Sequence, residues 1–337
     1  MSGKNIRVAV VGVGEFGRNH VRVWRELPGV ELIGVLDANP GRAAQVAAEF
    51  GARVLPSEAA LLAERPDAVC VAVPTKEHAR VGCRLLEAGM DVLVEKPMAA
   101  SLREAEALIA SAERGDRILQ VGQVERFNPA VVAVQPVITR PMFFEVHRLG
   151  VFSPRSLDVD VVYDVMIHDL DILLALVNAP VSDLKAVGIP VITDKVDIAQ
   201  ARIEFASGTV ANVTASRVST ERVRKMRFFQ EHEYISLDFS RQDVLRVRVR
   251  EGTAAPSALL PEDGQPEINF EKLPTLPGEP LRAELAAFAD AVSTRKTPLV
   301  DGHAGRRALE LADRVMEGIL EHARRVQLGA FSPQEVP

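Results

Sequence analysis

Positive charge, cysteine and long apolar runs are all scarce in this 337-residue chain. Lys and Arg number 40 against 46 Asp and Glu, a net charge of −6 at neutral pH. Without a cationic excess there is little to attract a nucleic-acid backbone or an anionic bilayer surface. The two cysteines, Cys70 and Cys83, each stand among apolar neighbours, which reads as small core residues rather than a disulfide or a thiolate metal site. No apolar run approaches the roughly 20 residues that a membrane-spanning helix needs. The first residues lead straight into a strand pattern, with no basic segment, apolar stretch and cleavage site of a secretory signal. The expectation is a cytoplasmic protein with neither a membrane nor a nucleic-acid partner. What the chain does have is 47% hydrophobic residues, enough for a sizeable core, and a length that suggests two domains.

In the first 125 residues, β-rich runs at 6–11, 31–36, 52–55, 68–73, 91–94 and 118–121 alternate with helical patterns such as 42–50, 77–88 and 103–114. Such alternation predicts a doubly wound parallel sheet covered by helices on both faces. From about residue 143 the texture changes. Strand-like stretches at 199–205, 209–216, 226–229, 234–239 and 244–249 follow one another through turns such as Ser207-Gly208, which predicts a mostly antiparallel sheet. Residues 251–280 read as a long loop, and helical patterns follow at 281–293 and 303–326. The domains are therefore expected at 1–125, an α/β nucleotide-binding domain, and 126–337, an α+β domain with a large open sheet, its final helices free to return to the first.

A G-x-G-x-x-G motif, Gly12-Val13-Gly14-Glu15-Phe16-Gly17, lies directly after the first strand and before a helical pattern. Gly12 permits the tight turn, Gly14 lets a pyrophosphate approach the backbone, and Gly17 lets the helix pack close to the strand; Glu15 and Phe16 lie in the same cofactor-binding loop. Twenty residues past Gly17 the second strand ends at Asp37, whose carboxylate suits ribose hydroxyls and repels a 2′-phosphate, favouring NAD over NADP. Asp37 also fits a plain turn role before Asn39-Pro40-Gly41, and nearby Arg42 could pair with a 2′-phosphate.

The carboxyl ends of parallel strands form the ligand crevice of such a sheet. Pro74 and Thr75 follow one strand on that edge, and Glu95-Lys96-Pro97 closes the next. Lys96 is thus a candidate to reach the nicotinamide end of the cofactor and a substrate bound against it, against the plainer reading of a solvated charge pair at a strand end. Gln123, Arg126 and Asn128 follow the strand 118–121. Arg126 suits a phosphate or sugar oxygen, while Asn128 and Pro129 also read as the cap and first residue of a helix. Further on, Asp160, Asp164 and His168 are spaced to share one helix face, with Asp171 three residues on. A histidine with a carboxylate one turn away suits proton transfer. The other histidines stand singly, and no ligand set for a metal is completed. The basic segment 217–227 reads as a solvated sheet edge.

The order Gly12-x-Gly14-x-x-Gly17, Glu95-Lys96-Pro97, Asp164-x-x-x-His168 resembles the Gfo/Idh/MocA oxidoreductase family over nearly the whole chain. The resemblance implies a nicotinamide-dependent enzyme acting on a sugar or cyclitol hydroxyl, oligomeric through the open face of its second sheet. It implies His168 as base, Lys96 on the reacting oxygen and Asp164 to orient His168 or the substrate. It also brings Gln123 and Glu95 to the cofactor, and Arg126, Asn128, Lys96, Asp164 and His168 to the substrate. A narrower resemblance, from Val121–Ala130 and the stretch from Asp164 to Ile172, is to the branch that oxidises C3 of UDP-N-acetylglucosamine ahead of transamination in lipid A or surface-glycan synthesis. That branch often carries His at the position of Gln123, and relatives often carry Gly at that of Met166. Other readings of the same residues are an inositol dehydrogenase, an enzyme that recycles NAD during glycoside cleavage, and a non-catalytic NAD sensor.

Overall fold

A computed structural model of the chain describes residues 5–152, 159–249 and 268–328. Among these, 5–127 with 279–311 form one compact unit, and the described parts of 128–278 with 312–328 form another.

The first unit is built on five parallel strands: β1 (Ile6–Val11), β2 (Val30–Leu36), β3 (Ala68–Val71), β4 (Asp91–Glu95) and β5 (Leu119–Gly122), in the order β2-β1-β3-β4-β5. Val8 to Val10, Val69 to Val71 and Val92 to Val94 are wholly buried, as continuous apolar runs must be when helices cover both faces. The helices are α1 (Glu15–Glu26), α2 (Pro40–Phe50), α3 (Glu58–Glu64), α4 (His78–Glu87) and α5 (Leu102–Gly115). Their ends carry the expected devices: the Asn39 side chain accepts from Arg42 N–H at α2, Ser57 caps α3 and Ser101 caps α5. Residues 52–55, expected as a strand, make only a single bridge, Val54 to Val35. The chain turns to one side of β1 for β2 and to the other for β3, so the sheet has its switch point between β1 and β3.

The second unit holds the helices α6 (Pro129–Val134) and α7 (Ile167–Leu176) and a sheet that is eight-stranded among the described residues. Its strands are β6 (Phe143–Val151), β7 (Val181–Ile189), β8 (Ile198–Phe205), β9 (Val210–Ser219), β10 (Val223–Gln230), β11 (Glu233–Asp238), β12 (Asp243–Val249) and β13 (Ile268–Lys272). The order is β13-β12-β11-β10-β6-β9-β8-β7, antiparallel throughout except for the β6–β9 pair. Alternate residues are buried, Ala199, Ala201, Ile203 and Phe205 on β8 for example, so one face makes the core. The other face carries Phe143, Phe229 and Tyr234 in successive ring contacts of 5.7 and 5.1 Å.

Two expectations are corrected here. The stretch 251–280 is not one loop, because β13 lies within it and a helix begins at Pro280; residues 251–267 lie outside the described residues. The basic segment 217–227 is not at a sheet edge either, since β10 pairs on both sides and Arg217 is buried. Helix α8 (Pro280–Thr294) belongs to the first unit, where Phe288 meets the Trp24 ring edge-on at 6.5 Å. Helix α9 (Gly302–Arg325) gives residues to both units. No helix among the described residues is long and apolar enough to cross a membrane.

Candidate active site

Of the residues expected to do chemistry, Lys96 lies in the first unit and Asp164 and His168 in the second. The first unit carries the nucleotide-binding features. Gly12 has φ +84°, and a Cβ there would stand 2.5 Å from the Ala72 carbonyl oxygen, so the turn after β1 and the turn after β3 touch through it. At Gly17 a Cβ would stand 1.8 Å from the Gly12 carbonyl, which only glycine permits. At Gly14 it would meet nothing nearer than Arg42 Nη1 at 4.0 Å, so the backbone there lies open to a close ligand. Gly14 is also the N-cap of α1 and supplies no side-chain cap, leaving the first-turn N–H groups to an external anion. Phe16 beside it is 61% exposed. These features fit a dinucleotide pyrophosphate.

Asp37 proves to hold its own turn and to remain usable. Its Oδ2 accepts Val13 N–H and its Oδ1 accepts Asn39 N–H, each at 2.8 Å, while each oxygen keeps a second lone pair. The carboxylate thus ties the end of β2 to the glycine loop. Arg42 approaches it at 3.7 Å.

Next on the same edge come Pro74, exposed, and Thr75, half-buried, after β3, and Lys96, half-buried, after β4. Glu95 does not stand loose beside the lysine. Its Oε1 lies 2.7 Å from His20 Nε2 on α1, and its Oε2 accepts Lys96 N–H at 3.3 Å. Against burial, which favours the neutral acid, hydrogen bonding and charge from His20 hold the Glu95 pKa below its ordinary value. Burial likewise opposes charging His20, but Cys70 and Glu95 outweigh it and hold its pKa well above the imidazole norm. His78, also buried, places Nδ1 2.9 Å from the Pro97 carbonyl oxygen and Nε2 2.9 Å from that of Val73, joining the turns after β3 and β4. Burial lowers its pKa. By sequence both histidines read as single residues, at the surface or packed, rather than catalysts. The signal for His20 was there: it stands in the stripe Gly17, His20, Val21, Trp24 that α1 buries.

Gln123 and Arg126 are buried at the exit of β5. Asn128 is 3% exposed; its Oδ1 accepts Ala130 N–H to cap α6, and its Nδ2 donates to Phe239 C=O, both at 3.1 Å.

In the second unit, the stretch expected as one regular helix begins as a π-helical turn, Val162–Met166, in which Ile167 N–H bonds to Val162 C=O. Such single turns often accompany functional sites. The extra residue breaks the uniform stripe. Asp160 and Asp171 are buried, whereas Asp164 and His168 are half-buried. Asp160 Oδ1 accepts Val196 N–H at 2.7 Å, and its pKa is raised by burial. Arg217 donates to Val159 C=O at 2.6 Å and to Asp197 at 2.7 Å. Burial alone would raise the Asp197 pKa, but three backbone N–H bonds from residues 191–193 and Arg217 hold it far below the carboxylate norm. Downstream, Asp169 makes a two-pronged pair with Arg148 on β6, at 2.7 and 2.8 Å, and the guanidinium lies over the Phe239 ring. Tyr163 donates to Asp313 at 2.7 Å. Asp164 and His168 therefore sit on a helix start pinned on either side by buried ionic contacts. Among the described residues no group of His, Cys, Asp and Glu is placed to hold a metal ion.

Comparison with known proteins agrees with this geometry. The model of the oxidoreductase family with an NAD-binding Rossmann fold matches residues 6–123, and that of the GFO/IDH/MocA C-terminal domain matches 102–236. A UDP-N-acetylglucosamine 3-dehydrogenase of Acidithiobacillus ferrooxidans is 40% identical over 309 residues, 91% of this chain and 95% of its own. Its solved structure matches with a TM-score of 0.86 at 38% identity, covering 94% of this chain and 97% of that one. The NAD-linked scyllo-inositol 2-dehydrogenase of Bacillus subtilis is 31% identical over 64% of this chain and 68% of its own. An oxidoreductase from Agrobacterium radiobacter, solved with NAD+, L-tartaric acid and magnesium, shares the fold at a TM-score of 0.80 and 18% identity, over 94% of this chain and 97% of that one. The chain belongs to the GFO/IDH/MocA oxidoreductase family, as an NAD-dependent enzyme of that family.

Proposed function

We propose that the enzyme oxidises the C3 hydroxyl of UDP-N-acetylglucosamine to the 3-keto sugar. The observation that carries this reading is the 40% identity, over nearly the full length of both chains, to a dehydrogenase of that substrate. Bound NAD supplies the hydride acceptor. The glycine loop and the first turn of α1 hold its pyrophosphate, Asp37 its adenosine ribose, and Pro74, Thr75 and Gln123 flank it along the strand ends.

Turning CH–OH into C=O removes a hydride from carbon and a proton from oxygen. An alcohol is a weak acid, so a base must take that proton as the C–H bond breaks. His168 is that base, a role worth roughly 10²–10⁴-fold. Lys96 donates a hydrogen bond to the same oxygen and stabilises its developing negative charge. Asp164 orients His168 and favours the imidazolium as it forms. Arg126 is assigned to the phosphates of the substrate.

The test is incubation of the purified protein with NAD and a panel of UDP-sugars, inositols and free sugars, following NADH absorbance and product mass. NADH formation with UDP-N-acetylglucosamine and loss of two hydrogens from the sugar is the expected result. Turnover of inositol alone would overturn the substrate, and sugar release without NADH would favour the NAD-recycling reading. We further assign the open sheet face with Phe143, Phe229 and Tyr234 to a homo-oligomer interface, which light scattering of wild type against Phe229→Glu checks. The same reading puts the enzyme in the cytoplasm.

A further inference from the structure

The His20–Glu95 pair is more than a packing contact between α1 and β4. Glu95 immediately precedes Lys96, and a lone carboxylate there would hold the neighbouring ammonium in its protonated form. The carboxylate is instead engaged at both oxygens, by His20 at 2.7 Å and by the Lys96 main-chain N–H at 3.3 Å. It is also wedged sideways: a Cβ on Gly122 of β5 would come within 2.9 Å of Glu95 Oε2. Two neighbouring elements, α1 and β5, and the adjoining main chain thus define one position for this group, and the side chain bonded to it is a histidine only 1% exposed. His20 shares a helix with the glycine loop, so the element that takes the pyrophosphate is bonded to the residue next to Lys96.

We propose that His20 is a positioning residue for Lys96: its bond to Glu95 fixes the carboxylate and cancels its charge, so that Lys96 adjoins a neutral pair, and it couples the cofactor helix to the catalytic turn. The proposal rests on the reading of Lys96 as the group that meets the reacting oxygen. The other titratable groups facing the pair are Cys70 on β3, whose Sγ also accepts Trp24 Nε1–H at 3.1 Å, and His78 on α4. Neither would compensate Glu95 in place of His20: a cysteine has no cationic form, and burial lowers the His78 pKa.

Replacing His20 by Gln keeps a hydrogen-bond donor but no charge, leaving Glu95 as an uncompensated anion beside Lys96. At a fixed mildly alkaline pH, the rate at which an amine-reactive reagent labels Lys96, read by peptide mass, is expected to fall on the order of tenfold in His20→Gln. With an active alcohol substrate, kcat falls by a similar factor while NAD affinity stays within about threefold. The double variant His20→Gln/Glu95→Gln restores the labelling rate, which a purely structural role for His20 would not do. An unchanged labelling rate in folded, NAD-binding His20→Gln would overturn the proposal, as would failure of the double variant to restore it. Should His20→Gln not fold, Glu95→Gln carries the test: labelling at or above the wild-type rate supports the proposal and slower labelling overturns it. Labelling requires no substrate, so a wild-type protein inactive on every sugar sinks the proposed function while leaving this result readable.

Discussion

The carboxyl edge of the parallel sheet and the start of α7 both hold candidate site residues, by different physical means. On the sheet edge, Asp37, Thr75 and Lys96 each come after a strand whose position is set by ladder bonds and buried valines, so placement comes from the backbone. At α7 the backbone is irregular, a π-helical turn, and placement comes from buried side-chain hydrogen bonds and ion pairs: Asp160 accepting Val196 N–H, Arg217 with Asp197, Asp169 with Arg148. The first arrangement tolerates loss of a side chain, because the strand stays where it is. The second does not, because the side chains are what hold the turn.

The sharpest way to set the two apart is to remove one side chain from each. Lys96→Met is expected to lower kcat on the order of 10³-fold, through loss of the donor that stabilises charge on the reacting oxygen, while NAD binding by fluorescence titration and the thermal midpoint hold. Near-normal turnover in that variant would break the assignment. Arg148→Met should do the reverse. It strands the fully buried Asp169 carboxylate without its guanidinium, a loss of about 3–5 kcal/mol read by urea denaturation, and activity falls only through lost fold.

Next in size is cofactor choice on the sheet edge. Asp37→Ser removes the anion that repels a 2′-phosphate and leaves Arg42, now 3.7 Å from the carboxylate, to receive it. The ratio of kcat/KM for NADP over NAD is expected to rise roughly 100-fold. If the ratio does not move, Asp37 is holding the turn at Val13 and Asn39 and nothing more.

The same contrast explains how much could be read from sequence. A parallel strand announces itself by a run of β-branched residues, and the residues just after such a run lie on the ligand edge whatever their type; Gly12, Asp37 and Lys96 were legible for that reason. Strand 52–55 was misjudged because one bridge to Val35 needs the same short apolar run as a full strand. In the second unit, Asp160, Asp164, His168 and Asp171 looked alike by spacing. Which carboxylate is buried depends on partners distant in sequence, Val196 for Asp160, and on one extra residue in a turn that no period reveals. Buried polar residues that match distant partners cannot be told from exposed ones by pattern, and the misplacement of Arg217 on a sheet edge has the same origin. His20 belongs to this class too, its partner Glu95 being 75 residues away.

The smallest expected effect is a change in how stability varies with pH, at most about 1.4 kcal/mol per pH unit for a single proton. His20 has a raised pKa in the fold, so its contribution is fully present below the unfolded value of about 6.5 and is lost as pH climbs through the folded one. Glu95, with a lowered pKa, contributes above the ordinary carboxylate value and loses that contribution as pH falls through its folded one. The pair therefore stabilises most between the two. His78 acts in the opposite sense to His20: burial keeps it neutral, so its burden grows as pH falls below about 6.5 and the unfolded chain takes up the proton first. Urea denaturation of wild type and His20→Gln at pH 6 and pH 9 separates the two histidines. The stability gap should be wider at pH 6 and narrow toward pH 9, because only the wild type has the His20 proton to lose. A gap independent of pH would mean that folding leaves the His20 pKa where it is in the unfolded chain, and that the bond to Glu95 does not favour the imidazolium.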